Sequence, residues 1–271
     1  GQTDAGACPT QELIDAYEVV DAGMTTAQPL LNLETPYADA DHLTPNINTA
    51  ATALYNPADP YANRDPRLKA SIYYNGSKLH LERNTLLSTK PGGNCELNTN
   101  NARYTCTGYY TRKFAHYKSG RSGNLDGYFK VFRLAELYLN YAEAANEAAS
   151  TTTAPNEAVD AVNTVRARVG MPAIPYGLSK DEFRLRLRNE RRVELAFEEH
   201  RFFDVRRWKI LDKTDKTVTG MRANTDGTYT RFVVDNGRKA YTDKYLLYPI
   251  PGDEAIRLQN AAGRSCQNPG W

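Results

Sequence analysis

The 271-residue chain has no apolar run near the roughly 20 residues that a membrane-spanning helix needs. It also lacks an excess of charge, because 34 basic and 32 acidic residues leave a net charge of +2. Without a large basic field the sequence does not favour nucleic acid as a partner, and it does not favour acidic partners either. Hydrophobic residues make up 41% of the chain, which is enough for the core of one large domain or two small ones.

Motifs that carry catalysis or hold a cofactor are also missing. Neither G-x-x-x-x-G-K-[ST] nor G-x-G-x-x-G occurs, and the four histidines have no Ser, Asp or Cys partner at a recognisable spacing. Glycoside hydrolysis needs two carboxylates across a cleft, and Glu198 could supply one of them with Glu194 or Glu199. These residues lie among arginines that keep them ionised, so we interpret them as structural. We therefore predict no catalytic residue and no cofactor.

Cysteine is scarce, and none of the four cysteines has the C-x-x-C spacing of a zinc or redox site, so no metal is predicted. Three pairings are possible. Cys95 and Cys106 bracket a loop rich in Asn and Thr that a disulfide would close, which leaves Cys8 to pair with Cys266. These bonds would indicate an oxidising compartment such as the periplasm or the cell surface. Four unrelated thiols in a reducing cytoplasm are the alternative.

Tryptophan is rare, with 2 residues, whereas tyrosine is abundant, with 18 residues that lie mostly in Pro-, Asn- and Gly-rich sequence. A tyrosine offers a rigid apolar ring with a polar tip, which suits stacking against a sugar. The candidate ligand-binding residues are Tyr37, Tyr55 and Tyr61, followed by Tyr109 and Tyr110. The alternative is that these rings anchor long loops to the core.

The most informative stretch runs from Leu178 to Lys209 and is predicted to form one long helix. Ser179 and Glu182 have the spacing of a capping box. Glu190 and Glu194 interrupt the apolar face, and a buried carboxylate is costly unless it is paired. We predict that both are buried in ion pairs that lock this helix to the helices before it and to the C-terminal segment. The arginines assigned to these pairs are Arg166, Arg168 and Arg201.

The remaining patterns predict a mainly α protein with tetratricopeptide-like helix pairs, long irregular loops and small β hairpins. Residues 1–127 are loop-rich with a small β element, 128–209 form the helical scaffold, and 210–271 are again loop-rich. Helical spacing of apolar residues runs through 134–145 and 158–169. Thr10 is the predicted cap of a short first helix. Turns that signal hairpins are Asn75-Gly76, Asp226-Gly227 and Asn236-Gly237.

Several motifs taken together resemble the SusD/RagB family. The resemblance extends over essentially the whole chain but only over the C-terminal part of the family's architecture. The motifs are Pro9-Thr10-Gln11-Glu12-Leu13, Asp65-Pro66-Arg67, Phe132-Arg133-Leu134-Ala135-Glu136, Leu139-Asn140-Tyr141-Ala142-Glu143-Ala144, 162–170, 189–198, 200–208, Pro249-Ile250-Pro251 and Gln267-Asn268-Pro269-Gly270-Trp271.

The resemblance implies a cell-surface, outer-membrane lipoprotein that captures glycans or peptides and delivers them to a TonB-dependent transporter, without catalysis. It also implies that an N-terminal helical half with the lipid anchor is absent from residues 1–271. The shared motifs are scaffold residues and locate no ligand. The alternatives are a helical-repeat scaffold that binds only peptide or protein and, less favoured, a two-carboxylate glycoside hydrolase.

Overall fold

The computed structural model describes residues 6–79, 85–115, 130–214, 216–235 and 242–271, and helices dominate these parts of the chain, as predicted. The boundary between residues 127 and 128 and the Asn236-Gly237 turn lie outside the described residues. The α-helices are α1 (Gln11–Ala16), α2 (Pro66–Ser71), α3 (Leu134–Ala148), α4 (Asn156–Ala167), α5 (Lys180–Glu194), α6 (His200–Arg207), α7 (Leu211–Thr214) and α8 (Gly252–Ala262).

Helices α3, α4 and α5 form the main scaffold. A short connection returns α4 along α3, and α3 also packs on α5. Their facing sides carry small and branched apolar residues that are almost fully buried, including Leu139, Val162, Phe183 and Leu187. None of the helices in the described ranges is long and apolar enough to cross a membrane.

Helix α5 begins at the predicted capping box but ends earlier than predicted. The Ser179 hydroxyl accepts the amide of Glu182, and the Glu182 carboxylate accepts the amide of Ser179. The helix stops after Glu194 because Phe197 and Glu199 adopt left-handed φ angles of 64° and 66°. Helix α6 then starts at His200, so the predicted single helix is two helices.

Cationic side chains from outside α5 donate hydrogen bonds to the backbone carbonyls at the end of the helix. The Lys113 ammonium donates to the carbonyls of Glu194 and Ala196, at 2.7 and 3.1 Å. Arg133 Nη2 also donates to the Glu194 carbonyl, at 2.7 Å. The last carbonyls of a helix lack partners within it and carry partial negative charge, so these contacts stabilise the break.

In the part of the chain that the structure describes, the strands form three two-stranded antiparallel pairs. Val19–Val20 (β1) pairs with Ala27–Gln28 (β2), and Val218–Ala223 (β5) pairs with Tyr229–Asp235 (β6) across the predicted Asp226-Gly227 turn. The hairpin predicted around Asn75-Gly76 was wrong. Ile72–Tyr73 (β3) instead pairs with the distant Tyr110–Thr111 (β4), while the residues before it form α2.

All four cysteines are free thiols, so neither predicted disulfide is formed. The loop between Cys95 and Cys106 is closed by hydrogen bonds instead. The Asn98 amide donates to the Thr105 carbonyl at 3.0 Å. Burial raises the pKa of the Cys106 thiol, and the neighbouring thiol of Cys8 raises it further, so Cys8 rather than Cys95 lies beside Cys106.

Candidate functional site

An aromatic cavity of about 370 Å³ lies between the long loop of residues 45–57 and the β5–β6 hairpin. The partly exposed rings of Tyr55 and Tyr229 line it, together with Thr52, Arg231 and apolar side chains. The buried Arg64 guanidinium lies 5.9 Å from the centre of the Tyr55 ring and backs it from the protein side. This combination of flat apolar rings and a few polar groups suits a ligand with an apolar face and many hydroxyls.

Tyr61 lies beneath this cavity and contacts the Tyr229 ring. It is 5% exposed, its ring stacks on Tyr74 with centroids 4.2 Å apart, and it meets the Tyr229 ring edge-on at 5.5 Å. Asn75 Nδ2 donates to the Tyr229 hydroxyl at 3.4 Å. Offset and edge-on ring contacts have preferred geometries, so Tyr61 orients Tyr229 rather than contacting a ligand itself.

The structure separates the five candidate tyrosines. Only Tyr55 lines the aromatic cavity, and Tyr37 lines a second cavity described below. Tyr109 is fully buried and donates to Gln11 Oε1, while burial raises its pKa. The Tyr110 hydroxyl accepts the Thr105 amide at 3.0 Å, and burial raises its pKa to about 12. Tyr61, Tyr109 and Tyr110 therefore act as loop anchors, the alternative that the sequence left open.

The second cavity, here called the basic cleft, has a volume of about 310 Å³ and lies between residues 29–37 and helix α5. The Tyr37 hydroxyl donates to Asp15 Oδ2 at 2.8 Å at its wall. Asp15 also accepts Arg231, with Nη2 2.7 Å from Oδ1 and Nη1 2.8 Å from Oδ2. Asp15 lines the basic cleft and Arg231 lines the aromatic cavity, so this ion pair contributes to the walls of both.

A buried ion-pair network surrounds α5. Glu190 and Glu194 are both 3% exposed. Glu190 pairs with Arg67 at 2.5 Å and with Arg166 at 2.9 Å. Burial alone would raise the pKa of Glu190, but the two guanidinium groups outweigh it and hold the pKa below its usual value.

Glu194 accepts Arg67 at 3.0 Å, Arg133 at 2.5 Å and Arg168 at 2.8 Å. The network thus joins α5 to α2 and α4 rather than to the C-terminal segment. Arg201, which was assigned to this network, lines the basic cleft instead.

The carboxylate considered for hydrolysis is held as an anion. Glu198 pairs with Lys113 at 2.5 Å and with Arg133 at 2.6 Å. Burial would raise the pKa of Glu198, but hydrogen bonds from Arg133 and Lys113 lower it. A general acid needs a raised pKa, so this geometry favours a structural role. In the described ranges no group of three or more His, Cys, Asp or Glu side chains is placed to hold a metal ion.

Sequence reasoning missed Tyr229, Arg231 and Arg192. Tyr229 lies two residues after the Asp226-Gly227 turn, so its position at the start of a strand could be predicted from the sequence. Its position over the loop at 45–57 could not. Arg192 is one of eight arginines from Arg184 to Arg207, and no local pattern distinguishes it from those that form structural pairs.

The SusD family profile matches residues 1–271. Among curated proteins, SusD-like protein P2 of Formosa agariphila is 36% identical over 146 residues, which cover 51% of this chain and 25% of that protein. SusD-like protein P25 of the same organism is 40% identical over 84 residues, or 30% of this chain and 15% of that protein.

Solved structures share the fold. A SusD-like protein from Bacteroides fragilis is 29% identical with a TM-score of 0.74, covering 98% of this chain and 47% of that one. A SusD-like carbohydrate binding protein from the same species is 23% identical with a TM-score of 0.63, covering 91% and 46%. The chain spans about half the length of these structures, and its aligned segments cover a quarter or less of the curated relatives. The match over its whole length shows that the chain belongs to the SusD family.

Proposed function

We propose that this protein binds saccharides as the capture component of an outer-membrane uptake system. In this proposal it is a cell-surface lipoprotein, it performs no catalysis, and it delivers the saccharide to a TonB-dependent transporter. Membership of the SusD family supports this role, as does the shared fold with a protein described as a SusD-like carbohydrate binding protein.

The observation that carries the proposal is the aromatic cavity. Two accessible tyrosine rings, Tyr55 and Tyr229, border a concave site with Thr52 and Arg231 as polar partners. A sugar ring presents an apolar C–H face that packs on such rings while its hydroxyls bond to the rim. The rings are held from below by Tyr61 and Arg64, so little ordering is needed on binding.

The test is a glycan array with neutral oligosaccharides, followed by calorimetry with the strongest binder. We expect Tyr55→Ala and Tyr229→Ala each to weaken binding by about tenfold or more, because a large ring surface is lost. Tyr55→Trp should retain binding. Tyr176→Ala is the matched control, since Tyr176 is 58% exposed and lies outside the cavity.

Three results would contradict the proposal. Tight binding to the transporter without any saccharide binding would indicate the protein-binding scaffold, and binding of peptides in place of saccharides would indicate peptide capture. Turnover of a saccharide that Glu198→Gln abolishes would indicate a hydrolase. Unchanged affinity in both tyrosine variants would show that saccharides bind elsewhere.

A further inference from the structure

The basic cleft has an apolar wall and a basic wall. Leu30, Leu31, Leu33 and Leu185 contribute apolar surface. Four basic side chains from the described residues also line the cleft, namely Arg188, Arg192, Arg201 and Lys213. The cleft therefore combines apolar and basic side chains. In the ion-pair network on the other side of α5, by contrast, every arginine pairs with a carboxylate.

Arg188 and Arg192 pair with no carboxylate among the residues that the structure describes. The Arg192 side chain forms no hydrogen bond or ion pair with any part of the chain that the structure describes, although it is half-buried. Arg188 Nε is buried without a hydrogen-bond partner, and its guanidinium lies 4.9 Å from the centre of the Trp208 ring. Desolvation by burial lowers the pKa of Arg188. A buried donor without a partner is costly, so an added acceptor would be stabilising here.

The acidic residues of the cleft do not supply that acceptor. Glu12 accepts the Thr219 amide at 3.0 Å and hydroxyl at 2.6 Å, and it lies 3.1 Å from His42 Nδ1. Asp15 is neutralised by the two-point contact with Arg231. Glu34 is exposed, where water and salt screen its charge. Among the described residues that line the cleft, positive charge therefore exceeds negative charge.

We propose that the basic cleft binds the anionic group of an acidic saccharide, a carboxylate or a sulfate ester, at Arg192 and Lys213. This inference rests on the proposed saccharide binding and specifies the class of saccharide. The guanidinium fork of Arg192 matches the oxygens of either group, and the leucine wall accepts the apolar face of the sugar ring that carries it. Asp15 lines the cleft, Arg231 lines the aromatic cavity and the two form one ion pair, so in this proposal a single oligosaccharide extends from one cavity to the other.

The experiment compares tetragalacturonate with its methyl ester, and a sulfated galactotetraose with the unsulfated form, by calorimetry at two salt concentrations. We expect each anionic form to bind about tenfold more tightly than its neutral counterpart, with the preference decreasing in high salt. Arg192→Gln and, separately, Lys213→Gln should each reduce the ratio of the anionic to the neutral affinity, because the charge that distinguishes the two forms is lost. The tighter of the two anionic probes identifies carboxylate or sulfate as the natural group.

Arg257→Gln is the matched control, because Arg257 is exposed, lies outside the cleft and loses the same charge. Circular dichroism checks that Arg192→Gln is folded, and the exposed Lys213 provides a second variant with little risk to folding. Equal affinity for anionic and neutral forms, or an anion preference that survives both substitutions, would overturn the inference while leaving saccharide capture intact. Absence of binding to all four probes and to the neutral array would reject both.

Discussion

At the scale of single residues, Glu190 shows how a charge can be kept in the core. It is almost fully buried, yet two guanidinium groups contact its two oxygens. Burial of a carboxylate costs several kcal/mol of desolvation free energy, and the contacts with Arg67 and Arg166 offset this cost. The sequence indicated that Glu190 needed arginines, but Arg67 is 123 positions away and no local pattern identified it.

We expect Glu190→Gln to lower the free energy of unfolding by about 3 kcal/mol, because it removes the one buried anion that Arg67 and Arg166 share and leaves each with its other carboxylate contacts only. Urea denaturation measures the change. Glu254→Gln, which breaks an exposed pair with Arg257, should leave the urea midpoint unchanged. A Glu190→Gln midpoint equal to that of the wild type would show that the buried pair is not required.

The same residue predicts a pH dependence. The pKa of Glu190 is lowered in the folded protein, and an unfolded glutamate titrates at about 4.3. Its contribution to stability is therefore fully present above that pH and is lost as the pH falls towards the folded pKa. Urea midpoints measured between neutral and acidic pH should decline less steeply in Glu190→Gln than in the wild type. Parallel profiles for the two proteins would contradict this assignment.

At the scale of elements, the break between α5 and α6 is the main departure from the helical pattern. Charge and helix propensity continue through residues 195–199, so the sequence alone favours one helix. The chain instead turns where Lys113 and Arg133 reach the carbonyls of Glu194 and Ala196. Since these cations come from 81 and 61 positions away, the break depends on tertiary contacts.

We expect Glu199→Gly to raise the free energy of unfolding by about 1 kcal/mol, because a left-handed φ costs about 1–2 kcal/mol for a residue with a Cβ and little for glycine. Glu199 is exposed and has a φ of 66°, so few contacts are lost. Glu199→Ala is the matched control, since it removes the carboxylate without freeing the backbone. Thermal and urea unfolding of both variants measure the difference, and equal effects would show that the turn is unstrained.

At the scale of the whole molecule, helix α3 exposes several large apolar side chains on its surface. Leu134, Leu137 and Tyr141 share one face of the helix and are 62%, 48% and 52% exposed. Phe203 of α6 is 63% exposed and borders the same groove as α3 residues Asn140 and Ala144. Several large apolar side chains exposed on one helix face are typical of an interface rather than of a solvent-facing side.

We therefore expect residues 1–271, studied alone, to self-associate as concentration rises, because burial of this face is favourable. Light scattering coupled to size-exclusion chromatography measures the molar mass at each protein concentration. Leu134→Glu with Leu137→Glu should reduce the association without loss of helical circular dichroism. Tyr176→Glu, a change at an exposed ring outside this face, should have no effect. A monomer at the highest concentration reached would contradict the prediction.

The sequence by itself determined the local features of this protein. The capping box at Ser179, the apolar spacing of α3 and α4 and the Asp226-Gly227 turn each depend on residues within a few positions of one another. The physical requirement that a buried glutamate be paired is equally independent of the fold. Helix starts, the helical class and the presence of arginine–glutamate pairs could therefore be predicted.

Only the tertiary structure decided which groups meet. It placed Tyr61 and Tyr109 inside and Tyr55 and Tyr229 at a cavity, although all four are tyrosines in similar loop or turn sequence. It paired β3 with β4 across more than 35 positions and put Cys8 beside Cys106. Exposure, strand partners and cavity walls depend on how distant segments pack, and packing selects among arrangements that local patterns leave equivalent.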